Sequence, residues 1–309
     1  MIGDKNWVVL INPVAGKGNG EKNWPAIAKL LTKNNISFRF FFTRFKGHIK
    51  EIIQQQLQNG NHNFLICGGD GSLNEAVNAS MNSSENLRQE IVLGVIPIGS
   101  GNDWSLTHSI STNCSDAVKQ FANGIITNHD VGFAFPEHTL EKYYFINIAG
   151  VGYDGHVVKK INDTYPEIKP GKIIYLFTLL KELLFYKNQL AKIKSDKFIL
   201  KEKMFSMSIA ICKYNGGGMM QAPQAIYNDG LLTVNIIKNL SKWEVLLNLG
   251  GLKDGSYVNH KKVISLNTQK LSISAKEILS EADGEFIGNS NIEFGIEPLA
   301  LKVVLPQHK

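Results

Sequence analysis

Apolar residues in the first third of the chain fall in short unbroken runs. Trp7-Val8-Val9-Leu10-Ile11 is the first, and further runs occupy residues 37–43, 63–67 and 91–97. Between them, stretches with helical spacing cover about 23–34, 47–59 and 72–81. Short apolar runs bounded by turn residues predict buried strands, and their alternation with helices predicts a parallel sheet covered on both faces. After about Asp130 the pattern changes. Residues 143–149, 205–213, 231–237, 263–266 and 270–273 read as strands joined by turns, interrupted by helices at about 171–186 and 242–250. The expected fold class is α/β plus mostly β: a parallel-sheet α/β domain over residues 1–132 and a β-sandwich over 133–295.

Length agrees with that division, since 309 residues exceed what one hydrophobic core usually organises. A net charge of +6 favours acidic partners, whether nucleic acid, anionic lipid or phosphorylated small molecules. No recognisable base-reading module accompanies the basic residues, so nucleic acid is not an expected partner. Cys67, Cys114 and Cys212 are too scattered for a zinc site or a disulfide framework, which suits a reducing compartment. The first residues lack the pattern of a signal peptide, and the longest apolar run, 173–180, is too short to span a bilayer. A cytoplasmic location is expected.

In a parallel sheet, ligands bind beyond the carboxyl ends of the strands. Three glycine-bearing loops fall there. Asn12-Pro13-Val14-Ala15-Gly16-Lys17-Gly18 follows the first strand, and it lacks the spacing and the Gly-Lys-Ser/Thr end of a Walker A loop. Lys17 admits two roles, a solvated loop lysine or a phosphate contact. Gly68-Gly69-Asp70-Gly71-Ser72-Leu73-Asn74-Glu75 follows the third strand and opens a helix, with Ser72 suited to the N-cap and Glu75 expected in the first turn. Glycines let backbone N–H groups approach an anion, and the helix end adds a positive dipole. Pro97-Ile98-Gly99-Ser100-Gly101-Asn102-Asp103 follows the fourth strand.

These three loops, in this order, resemble the glycine-rich signatures of the diacylglycerol kinase catalytic-domain family, which includes bacterial lipid kinases, sphingosine kinases and ceramide kinases. NAD kinases and phosphofructokinases share a related Gly-Gly-Asp-Gly motif. Ser100 stands where the family usually has Thr, and Trp104 where Phe is common; serine keeps the hydroxyl. The resemblance assigns ATP contact to Asn12, Pro13, Val14, Ala15, Gly16, Thr43, Gly68, Gly69, Asp70, Gly71, Ser72, Leu73, Asn74 and Ser100, with Asn102 and Asp103 in the same loop. Asp70, Asp103 and Asp130 are candidates to orient catalytic Mg2+, and Asp70 is counted with the catalytic residues.

In the second half, Ala222-Pro223-Gln224-Ala225-Ile226-Tyr227-Asn228-Asp229-Gly230-Leu231-Leu232 is similar to a bacterial lipid-kinase segment. The resemblance implies a structural Mg2+ held by the Asp229 carboxylate and the carbonyls of Ile226 and Leu231; locally the segment also reads as a tight turn. Glu281-Ala282-Asp283-Gly284-Glu285 resembles the family's Asp-Gly-Glu motif, which is assigned proton acceptance. Asp283 and Glu285 both remain candidates, and a hairpin with solvated acids is the local alternative. The family also implies that the last strand returns to the first domain, so that 296–309 rejoin 1–132, and that the active site lies in the cleft between the domains.

The activity implied is ATP-dependent transfer of the γ-phosphate to a lipid hydroxyl, with diacylglycerol as the leading acceptor and a sphingoid base or phosphatidylglycerol as others. A NAD kinase and a non-catalytic binding protein are the competing readings. Residues 159–213 hold 12 lysines against five acids, a surplus larger than that of the whole chain. With the apolar helix at 173–180, this span reads either as a surface for transient contact with an anionic membrane or as a core helix with solvated lysines. The reading leaves room for a homodimer.

Overall fold

The computed structural model describes residues 2–139, 141–165, 172–289 and 291–307. Two units emerge, Met1–His129 with Leu299–Lys309, and Asp130–Pro298. In the first, strands β1 (Asn6–Ile11), β2 (Ser37–Phe42), β3 (Asn63–Gly68) and β4 (Val92–Pro97) pair in parallel in the order β2-β1-β3-β4. Lys302 and Val303 from the end of the chain pair in parallel with Val92 and Leu93, extending the sheet beyond β4. The apolar runs of β1, β3 and β4 are buried along almost their whole length, as strands covered on both faces require. The edge strand β2 instead lays Phe38, Phe40 and Phe42 around Trp24.

Helices α1 (Ala15–Lys33), α2 (His48–Gln58), α3 (Asp70–Met81), α4 (Glu85–Glu90), α5 (Asp103–Thr107) and α6 (Cys114–Ala122) complete this unit, with α1 packed on α6 and α2 on α3. Strand order reverses between β1 and β3, which is where doubly wound sheets open a ligand crevice. Two helix starts differ from expectation. The segment α1 begins at Ala15, but Gly16, Lys17 and Gly18 all have left-handed backbone angles, so the regular helix starts only after them. Helix α3 begins at Asp70, two residues early, with Gly69 as the N-cap; Ser72 is therefore inside the first turn and Glu75 beyond it.

The second unit begins within β5 (Ile125–Pro136) and continues through β6 (Tyr143–Phe145), β7 (Ile148–Gly152), α7 (Tyr153–Thr164), α8 (Lys172–Leu183), β8 (Gln189–Ser195) and β9 (Ile199–Ala210). Next come β10 (Tyr214–Asn215), β11 (Met219–Met220), β12 (Leu232–Lys238), α9 (Lys242–Asn248), α10 (Gly251–Asp254), β13 (Val263–Thr268) and β14 (Lys270–Ala275). The last strands are β15 (Ser280–Ala282), β16 (Glu285–Gly288) and β17 (Ile292–Leu305).

Strand β9 is long enough to serve two sheets. Residues 206–210 lie between β7 and β12, while residues 199–204 pair with β8. One sheet runs β16-β15-β7-β9-β12-β13 and the other β9-β8-β14-β17-β5-β6, which makes the β-sandwich. The sequence pattern missed α7, β8 and the first half of β9. The latter two carry lysines at alternate, exposed positions and so show no apolar run. Gly171, the expected start of α8, lies outside the described residues.

Candidate active site

The three loops of the first unit touch one another. Asn12 Nδ2 donates to Ser72 Oγ at 3.1 Å, joining the loop after β1 to the start of α3. A Cβ on Gly16 would lie 2.2 Å from the Ile98 carbonyl oxygen, and one on Gly99 would lie 2.5 Å from the Gly69 Cα. Side chains are excluded at both places because backbone passes against backbone. Asp70 Oδ1 accepts the N–H of Trp104 at 3.1 Å, which fastens α5 to α3. The Trp104 ring is buried, and its Nε1 donates to His129 Nε2 at 3.3 Å. His108 Nε2 lies 3.2 Å from the same atom. The Trp104 N–H therefore reaches His129 Nε2 as an acceptor.

Around this junction the expected nucleotide contacts sort by what they can offer. The N–H groups of Asp70, Gly71 and Ser72 open α3 ahead of Leu73, whose own N–H bonds to Gly69 O at 3.1 Å. First-turn amides have no partner within the helix and favour an anion. Leu73 and Ala15 point their side chains into the core, so they contribute backbone alone. Thr43 is buried at the end of β2, its N–H bonded to Ile11 O at 2.8 Å. Asn74 accepts the amide of Asn78 at 3.0 Å, Val14 and Ser100 are exposed, and Pro13 is half-buried. Glu75 accepts the N–H of Gly47 at 3.0 Å, holding the turn that follows Thr43.

Asn102 adopts a left-handed conformation and donates Nδ2 to Gly99 O at 2.7 Å, while Oδ1 is buried with no hydrogen-bond partner among the described residues. An orphaned buried acceptor is costly unless a bound group completes it. Together with the amides of α3, it makes this junction fit a phosphate-bearing ligand and its cation. Asp103 is buried beside it.

In the second unit the acidic residues separate into two groups. Asp130 is fully buried; its Oδ2 accepts the N–H of Gly230 at 2.7 Å, and its own N–H bonds to Tyr227 O at 2.8 Å. The loop carrying Ile226, Asp229 and Leu231 is thus pinned to β5. It is an extended connection between β11 and β12 rather than a tight hairpin. Asp229 Oδ1 accepts the N–H of Leu231 at 3.0 Å, and its other oxygen has no hydrogen-bond partner among the described residues. Carboxylate and carbonyl oxygens in one short loop suit a hard cation.

Asp283 and Gly284 form the two-residue turn between β15 and β16, both with positive φ. The turn is real, but its acids are not all solvated. Asp283 accepts N–H groups from Ile146 at 2.9 Å, Asn147 at 3.0 Å and Ile148 at 3.1 Å. Its carboxylate therefore clamps the junction between β6 and β7. Glu285 is half-buried at the start of β16. Glu281, buried, accepts the N–H of Gly284 at 2.7 Å.

One acid was missed in the sequence pattern. Asp154 opens α7 directly after β7, and a Cβ on Gly150 would lie 2.6 Å from both Asp154 Cβ and Glu281 Oε1. Asp154 Oδ2 accepts the Ser206 hydroxyl at 2.6 Å. Desolvation raises its carboxyl to about 6, against the hydrogen bonds from Ser206 and Gln221. Gln221 O in turn accepts the Tyr257 hydroxyl and, at 2.8 Å, Asn235 Nδ2. The available signal was Gly150-Val151-Gly152-Tyr153-Asp154, which repeats the first unit's arrangement of glycines at a strand end followed by an acid on a helix.

Residues 6–134 match the diacylglycerol kinase catalytic domain, and residues 147–305 match the YegS C-terminal NAD kinase beta sandwich-like domain. A diacylglycerol kinase from Staphylococcus carnosus is 24% identical over 93% of this chain and 90% of its own. A diacylglycerol kinase from Mycobacterium tuberculosis is 23% identical over 97% and 94%. A crystal structure of a diacylglycerol kinase from Bacillus anthracis superposes with a TM-score of 0.72 at 18% identity, covering 97% of this chain and 96% of the other.

Proposed function

The chain belongs to the diacylglycerol kinase catalytic-domain family, a kinase with an alcohol acceptor, and from that premise we propose that it transfers the γ-phosphate of ATP to a lipid hydroxyl, with diacylglycerol as acceptor. The observation that carries the reading is the mutual contact of the loops after β1, β3 and β4, which leaves the α3 amides and the orphaned Asn102 oxygen at one junction. Bound Mg2+–ATP supplies the phosphoryl group and offsets its negative charge. The backbone N–H groups of Asp70, Gly71 and Ser72 cradle the phosphates, and Gly68 and Gly69 carry the strand into that turn. Asn102 and Asp103 would hold the cation, and Asp70 holds α5 in register with them.

Glu285 takes the proton of the acceptor hydroxyl as its oxygen bonds to phosphorus and ADP departs. Asp283 positions Glu285 by fixing the turn that carries it. Asp229, with the carbonyls of Ile226 and Leu231, would hold a structural Mg2+, which would keep in shape the loop that Asp130 pins. The relatives named as diacylglycerol kinases support the acceptor class.

A transfer assay with γ-labelled ATP against diacylglycerol, phosphatidylglycerol, a sphingoid base and NAD tests the proposal. Labelled phosphatidic acid is the expected product. Labelled NADP with no labelled lipid would overturn it.

A further inference from the structure

Two helices of the second unit that share one core cluster expose apolar side chains on the face turned away from it. Along α8, Leu179 and Leu183 enter a core cluster with Tyr186, Phe205 and Val245 of α9. The opposite stripe presents Phe177 at 67% exposure and Leu180, and the chain just beyond the helix adds Leu184 and Phe185. On α9, Val245 faces inward while Trp243 and Leu247 stand out at 76% and 84% exposure. Both helices contribute side chains to the same core cluster, and Lys242 Nζ at the start of α9 donates to the Leu184 carbonyl just beyond α8. A helix that meets water normally carries charges on that face, and a contiguous exposed apolar patch marks an interaction surface.

The charges around the patch specify what covers it. Lys181 and Lys187, both exposed, are interleaved with Leu180, Leu184 and Phe185, and neither has a carboxylate partner among the described residues. The nearby acids are turned to other partners. Glu182 is buried against His156 at 2.9 Å, and Glu244 closes the capping box of α9 and bonds Lys262 at 2.7 Å. The outward face is therefore apolar and cationic. No helix of the described residues is long and apolar enough to cross a membrane, and α8 is only 12 residues long. Large apolar side chains ringed by lysines suit shallow burial at an anionic bilayer surface.

We propose that α8 and α9 together form the surface by which this protein docks on anionic membranes, with Phe177, Leu184, Phe185, Trp243 and Leu247 entering the acyl boundary and Lys181 and Lys187 meeting lipid phosphates. The choice of a bilayer as occupant rests on the lipid-kinase reading. The surface delivers the enzyme to the phase that holds its acceptor, and it differs from the loops that bind nucleotide.

Trp243 provides a direct reporter, because Trp7, Trp24 and Trp104 are all buried. Vesicles of phosphatidylcholine containing phosphatidylglycerol are expected to shift Trp emission to the blue, and acyl-brominated lipid to quench it. Co-sedimentation should be at least tenfold tighter than with phosphatidylcholine alone. Phe177→Ser with Leu247→Ser, or Lys181→Glu with Lys187→Glu, should weaken it at least tenfold, with unchanged melting and unchanged turnover of a short-chain acceptor present as monomers. Phosphorylation of that monomeric acceptor without any vesicle binding overturns the docking surface alone. Vesicle binding by a chain that phosphorylates no lipid supports the surface and overturns the kinase reading. A blue shift that grows with protein concentration in the absence of lipid, with a dimer mass in sedimentation, would show a second copy covering the patch and also overturn the proposal.

Discussion

Oδ1 of Asp70 accepts the backbone N–H of Trp104 at 3.1 Å, so one carboxylate both opens α3 and ties α5 to it. Two strand-end loops separated by more than 30 residues are thereby held at one junction. Asp70→Asn preserves an acceptor for Trp104 but removes the charge. We expect kcat to fall about 10²–10³-fold with little change in melting temperature, as for loss of one preorganised electrostatic group. Asp70→Ala should lower both, because the Trp104 N–H loses its partner. An ADP-release assay beside thermal melts distinguishes the two.

Gly16 and Gly18 both have positive φ, yet their surroundings differ. A Cβ on Gly16 would meet the Ile98 carbonyl at 2.2 Å, whereas one on Gly18 would meet nothing within 4 Å among the described residues. Gly16→Ala should therefore separate the first and third loops and weaken ATP binding at least tenfold. Gly18→Ala should cost only about 1 kcal/mol of backbone strain and leave ATP affinity nearly unchanged. Calorimetric titration with ATP is the check, and equal loss in both variants would contradict the assigned contact.

Asp283 and Glu285 should separate stability from turnover. Asp283→Ala leaves three N–H groups without their acceptor, and a loss of about 3 kcal/mol or more is expected in urea unfolding. Glu285→Gln should unfold as the parent does while kcat falls about 10²–10⁴-fold. Full activity in Glu285→Gln would remove it as the proton acceptor.

Asp154 gives a pH dependence with a definite sign. Its ordinary value is 3.8 and its folded value about 6, so between them the folded state binds more protons than the unfolded chain. Stability contributed through this group falls as pH rises through about 4 to 6 and stays lower above it. Asp154→Asn keeps an acceptor for Ser206 and removes the charge. It should be more stable than the parent at pH 7 by on the order of 1–2 kcal/mol, after allowance for partial solvent access, with the gain vanishing near pH 4. Melting temperatures of both proteins across pH 4–7.5 test this.

Magnesium should raise the melting temperature through the loop between β11 and β12, since a ligand that binds only the folded state stabilises it. Asp229→Ala is expected to abolish that increment in the absence of nucleotide. An undiminished increment would place the stabilising ion elsewhere.

Local chemistry made the first unit readable. Its strands are apolar because both faces are covered, and glycines mark the strand ends because backbones pass too closely there for side chains, as at Gly69 and Gly99. Strand type, sheet class and the three loops were therefore present in the linear pattern. The second unit was less legible because β8 and the start of β9 expose lysines and never form an apolar run. Nor could residue order assign roles to equivalent carboxylates. Asp283 and Glu285 look alike in sequence, and only the fold brings the N–H groups of residues 146–148 onto Asp283. Similarly, the desolvation of Asp154 depends on Ser206 and Gly150, which the pairing of β7 with β9 brings beside it. The alternation of elements and the phosphate-type loops depend on neighbours along the chain, so residue order alone reveals them. Tertiary structure decided which acids are clamps, which is desolvated and which apolar faces stay uncovered, because each of those depends on groups far apart in the chain.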